Sequence, residues 1–175
     1  ASAVDVLHVA DATHPDQEPT PFRYPRPGRA NADVTLGVVS AGGGATVWAS
    51  WDRAAYPYLA TVVWPKNGPL TLVVQNRAQT EEKVLAVDAA TGRTRELLVE
   101  RDDAWLNLDQ TVPRWLPDGS GFLWSSERSG AWELELRGAD GALVRTLVPA
   151  ALGYQELAGV DPDGRSLWVV ASDDP

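Results

Sequence analysis

The chain contains no cysteine, no methionine and only two histidines, and its 15 Lys plus Arg are outnumbered by 24 Asp plus Glu. The missing cysteine excludes disulfides, thiolate metal sites and a cysteine nucleophile. It leaves the compartment open, because cysteine-free chains occur on both sides of a membrane. His8 and His14 have no carboxylate pattern around them that suits a metal, and no cofactor is expected. A net charge of −9 without a basic cluster argues against nucleic acid, whose binders release counterions from a basic face, and against an anionic membrane surface. No apolar run approaches the ~20 residues of a membrane-spanning helix. Ala1-Ser2-Ala3-Val4-Asp5 lacks the basic and apolar regions of a signal peptide and lacks an initiator methionine. The expectation from these termini is a processed product or an excised piece.

What is present is a globular composition, 44% hydrophobic against 22% charged over 175 residues, punctuated by 15 Gly, 13 Pro and 8 Trp. One turn recurs: Trp64-Pro65-Lys66-Asn67-Gly68, Trp115-Leu116-Pro117-Asp118-Gly119 and Val160-Asp161-Pro162-Asp163-Gly164. Asn-Gly and Asp-Gly adopt the positive φ that tight hairpins need. An apolar run follows each turn, Leu70 to Val74, Phe122 to Trp124 and Ser166 to Val170. Such runs do not alternate, which predicts strands covered on both faces. The first two copies continue in parallel. Lys83 to Asp88 matches Trp132 to Arg137, turn glycines follow at Gly92 and Gly141, and Thr94 to Leu98 matches Leu143 to Val148.

Four short antiparallel strands repeated every 45–51 residues is the period of a β-propeller blade. A β-sandwich gives no reason for the same four-strand cycle to recur. The expected fold is therefore all-β, a partial β-propeller with two full and two partial blades. Residues 1–52 form a partial blade with a Pro-rich connection, 53–101 and 102–150 full blades, and 151–175 a half blade. Val34 to Val39 and Ala45 to Trp48 read as the last strands of the first. Propellers close with 4–8 blades, so open blade edges predict self-association.

The segment Tyr24-Pro25-Arg26-Pro27-Gly28-Arg29-Ala30-Asn31, preceded by His8-Val9-Ala10-Asp11-Ala12-Thr13-His14-Pro15, resembles the dipeptidyl peptidase IV branch of the prolyl oligopeptidase family. Trp105-Leu106-Asn107, Arg114 to Gly119 and Phe122 to Gly130 resemble a later blade of the same propeller, in the same order. The resemblance implies an N-terminal propeller segment of a serine exopeptidase that releases N-terminal dipeptides. The propeller would gate access and help form the substrate cavity, with peptide substrate as partner through a catalytic domain on other sequence.

This chain carries no catalytic residues by that reading. No serine sits in Gly-x-Ser-x-Gly, and Gly119-Ser120-Gly121 is only a nearby mimic. The family holds the substrate's amino terminus with paired glutamates upstream of the Tyr-Pro segment. Glu81-Glu82 lies downstream of it and reads as a solvated loop, as do Asp102-Asp103 and Asp173-Asp174. The resemblance makes Trp105, Asn107 and Asp109 the candidate substrate-lining residues, with packing the plainer role for Trp105. The aromatic and basic residues of animal members are missing there. Ser126-Glu127-Arg128 suggests a local ion pair ordering a hairpin end. The alternative function is a stand-alone module whose tryptophans bind protein or carbohydrate.

Overall fold

A computed structural model describes residues 4–172; Ser2 and the Asp173-Asp174 pair lie outside the described residues. The chain divides into two compact units, Ala1–Thr35 and Leu36–Pro175.

The first unit is an antiparallel ribbon of β1 (Val6–Val9) and β2 (Thr20–Arg23). The Pro-rich stretch, expected as an extended connection, thus contributes a strand. Pro21 stands opposite His8 in the ladder. A two-stranded ribbon leaves each strand one free edge, where a missing N–H costs no ladder bond.

The second unit begins with β3 (Gly37–Val38) and β4 (Val47–Trp48), paired as two short strands. Two four-stranded meanders follow. One is β5 (Tyr58–Val63), β6 (Leu70–Gln75), β7 (Glu81–Val87) and β8 (Thr94–Arg101). The other is β9 (Arg114–Trp115), β10 (Gly121–Ser126), β11 (Glu133–Gly138) and β12 (Leu143–Val148). Consecutive strands are neighbours in both, all antiparallel. A single 3₁₀ turn (Ala150–Leu152) leads to β13 (Tyr154–Val160) and β14 (Leu167–Ala171), a two-stranded piece. The architecture is a partial β-propeller.

Strands β6 and β10 are buried at every residue, as their continuous apolar runs predict. Side chains alternate faces along β6. Leu70, Leu72 and Val74 pack with Leu36, Val38, Trp51 and Leu59 on one side. Val73 joins the second cluster on the other side, with Val112 from the connection that follows β8 and Trp115, Phe122 and Trp124 from the next sheet. Burying a side chain of the size of Leu72 or Phe122 contributes about 1.5–3 kcal/mol.

Polar contacts hold consecutive sheets in register. Trp115 Nε1 donates to Thr71 Oγ1 at 2.9 Å, and Asn67 Nδ2 donates to the Pro117 carbonyl at 2.8 Å. Gly141 has φ +92°, and a Cβ there would lie 1.8 Å from the Leu97 carbonyl oxygen of the preceding sheet. Only glycine lets the β11–β12 turn approach that closely. The β13–β14 pair is less covered. Leu167 and Val169 pack on the core, whereas Trp168 is 57% exposed.

Candidate functional site

The loop between β8 and β9, residues 102–113, carries all three candidate lining residues. Asp102 Oδ1 accepts the backbone N–H groups of Ala104 and Trp105 at 2.7 and 2.9 Å, an Asx turn that starts the loop. Leu106 is buried and its N–H reaches the Gln79 carbonyl at 2.9 Å, so Leu106 anchors the loop to the β6–β7 turn. Trp105 is consequently turned out and 56% exposed; packing is not its place.

Asn107 Nδ2 donates to Glu127 Oε2 at 2.8 Å, tying the loop to the β10–β11 turn. Asp109 Oδ1 accepts from the Thr111 hydroxyl and backbone N–H at 2.6 and 2.8 Å, and Oδ2 accepts from Ser125 Oγ at 2.6 Å. Ser125 Oγ also lies 2.9 Å from the Tyr154 hydroxyl. Burial pushes the Tyr154 phenol up to about 12, so it remains protonated and able to donate. The serine is bonded to a carboxylate and a phenol rather than an imidazole, so this trio links β10, β13 and the loop and is not a nucleophile–base pair.

Asn107 and Asp109 line a narrow cleft together with Thr61, Glu82, Trp124 and Ser125. Trp105 does not line it. Glu82 was expected in a solvated loop with Glu81, and the structure corrects this. Both lie on β7, and Glu82 is 3% exposed, between Gln75 and Glu100 in the cross-strand register. Gln75 Nε2 donates to Glu82 Oε2 at 3.2 Å. Desolvation raises the Glu82 carboxyl to about 7; the Gln75 bond opposes that rise and Glu100 adds to it. Its neighbour Glu81 faces the other way. Hydrogen bonds from Tyr56 and Arg101 hold Glu81 below the usual carboxylate range.

Arg128 also differs from expectation. It does not pair within its turn. Its Nη2 reaches back to Glu100 Oε2 of the preceding sheet at 2.6 Å. Glu100, 3% exposed, also accepts from Ser126 Oγ at 2.6 Å and from Trp124 Nε1 at 3.3 Å. Glu135 and Arg137 form a second buried pair on β11. Period-2 spacing could have found Glu82, since it precedes the buried Val84 by two residues on one strand face. No local pattern points Arg128 at Glu100, 28 residues away.

Among the described residues, no group of three or more acidic or histidine side chains is arranged to hold a metal, and no helix is long and apolar enough to cross a membrane. The family model described as dipeptidyl peptidase IV (DPP IV) N-terminal region matches residues 1–175. Among solved structures, the chain is similar to dipeptidyl peptidase 4 from Porphyromonas gingivalis, with a TM-score of 0.78 and 22% identity over 93% of this chain. It is similar also to a putative dipeptidyl aminopeptidase IV from Bacteroides ovatus, with a TM-score of 0.68 and 21% identity over 98% of this chain. It spans 23% of the length of each of those proteins.

Proposed function

The chain belongs to the dipeptidyl peptidase IV N-terminal region family, and on that premise we propose that it is a non-catalytic propeller segment of a serine exopeptidase releasing N-terminal dipeptides. Its role is to gate substrate access and to form part of the cavity wall, with the catalytic domain on other sequence. The family match along the whole chain carries this reading. Residues 53–101 and 102–150 serve as full blades, and 1–52 and 151–175 as partial ones. Asn107 and Asp109 line the wall where the β8–β9 loop, the β10–β11 turn and the start of β13 converge, and Trp105 offers an exposed ring beside them.

The 175-residue chain is expected to leave Ala-Pro and Gly-Pro chromogenic substrates intact. Turnover that a serine-reactive inhibitor blocks would overturn the assignment. In the enzyme carrying this segment, Asp109→Ala is expected to raise KM several-fold with kcat little changed; an unchanged KM removes Asp109 from the wall.

A stand-alone recognition module draws some support from Trp48, Trp64, Trp105 and Trp168, each more than half exposed. They occupy four separate elements and make no ring–ring contact among the described residues. That argues against one stacking platform. Uncovered outer strands also motivate self-association of the isolated chain.

A further inference from the structure

A pocket of about 610 Å³ lies where the β10–β11 turn faces the 3₁₀ turn and the start of β13. That volume is in the range of small-ligand sites. Its walls are chiefly apolar and aromatic, supplied by Trp132, Leu152 and Tyr154. Tyr154 is buried and its hydroxyl is already engaged by Ser125, so that residue closes the floor of the pocket and offers a ligand no polar group.

One carboxylate lines this pocket, that of Glu127. Asn107 holds its Oε2 at 2.8 Å, which fixes the side chain and leaves Oε1 for a ligand. The adjacent Arg128 points elsewhere, to Glu100 and Glu135. Among the described residues no Lys, Arg or His pairs with Glu127. A half-buried, oriented carboxylate without a cation, beside an indole and an aliphatic wall, has the complement of an apolar stem ending in a positive charge.

We propose that this pocket binds the basic side chain of a peptide, with arginine preferred over lysine. The methylene stem lies against Trp132 and Leu152, and the guanidinium donates to Glu127 Oε1. A guanidinium is planar, weakly hydrated and stacks on aromatic faces, so it loses less on entering such a pocket than a compact ammonium does. This proposal does not rest on the exopeptidase reading, because binding is a property of the chain itself.

The test is a titration of the isotopically labelled 175-residue chain, followed by NMR, with N-acetyl-L-arginine amide as the probe. N-acetyl-L-citrulline amide, of nearly equal shape and no charge, is the control. Saturable shifts are expected at the Trp132 indole and the Gly153 and Gln155 amides. The citrulline probe should bind roughly tenfold more weakly, the change expected from losing one charge-assisted hydrogen bond. Glu127→Gln keeps the shape and the Asn107 contact and should weaken arginine binding by about the same factor. Equal binding of the two probes, wild-type affinity in Glu127→Gln, or shifts elsewhere on the surface would each overturn the proposal.

Discussion

Strands β6 and β14 follow the same kind of turn with nearly the same apolar run, yet β6 is buried at every residue and β14 leaves Trp168 57% and Val170 41% exposed. The local chemistry is alike; the neighbours are not. Sheet β5–β8 has a packed cluster on both faces, whereas β13–β14 is packed through Leu157, Leu167 and Val169. A propeller strand is written for two covered faces, and its own sequence supplies neither cover. Burial here belongs to the interface between sheets, and so does most of the stabilisation that burial brings.

Substitutions that separate covered from uncovered positions test this contrast. Phe122→Ala removes a fully buried ring between sheets and is expected to cost about 3–5 kcal/mol by urea denaturation. A loss below ~1 kcal/mol would mean that the interface is looser than its packing implies. Arg128→Ala leaves the buried Glu100 carboxylate without its cation and should cost about 3 kcal/mol. Arg101→Ala breaks the more open pair with Glu81 and should cost clearly less than Arg128→Ala in the same denaturation experiment.

Glu82 gives the contrast a pH signature. Its folded-state carboxyl is raised from the ordinary 4.5 to about 7, so the folded chain holds a proton that the unfolded chain has released. Stability should therefore decline as pH rises from about 4.5 to 7. Glu82→Gln is expected to flatten that decline and to stabilise the chain at pH 8 by roughly 1–3 kcal/mol. An unchanged pH profile in that variant would show that Glu82 ionises at no cost. The smallest effect on folding is expected at the uncovered strand, where Trp168→Lys should stay within ~0.5 kcal/mol of wild type. Light scattering should nonetheless report less self-association in that variant. A clean monomer in the wild-type chain across a wide concentration range would remove the association reading.

Much of the fold is legible in the residues themselves. Asn-Gly and Asp-Gly turns, continuous apolar runs and an alternating third strand locate β6, β10, β11, β12 and β14, with ends off by a residue or two. The β7 strand begins earlier than the sequence suggests. Glu81 and Glu82 have low strand propensity, and it is the Gln75–Glu82–Glu100 row and the sheet packed against it that extend the ladder. The β2 strand is hidden by its prolines, because the rule against proline applies to strands with two partners. At the site, Asn107 and Asp109 do share a cleft, but the side chains completing it come chiefly from β5, β6, β7 and β10. Only the fold brings those positions together.

Three contacts between successive sheets span the same interval. Thr94 to Ser50, Arg95 to Ala139 and Trp115 to Thr71 each join residues 44 apart. The first joins β8 to a residue just beyond β4, and the other two join facing surfaces of the β5–β8 and β9–β12 sheets, so the covalent link is not the only tie between them. A chain nicked in the exposed part of the 102–113 loop would keep those surfaces intact. Its two pieces are expected to stay associated through the contacts already made across that junction.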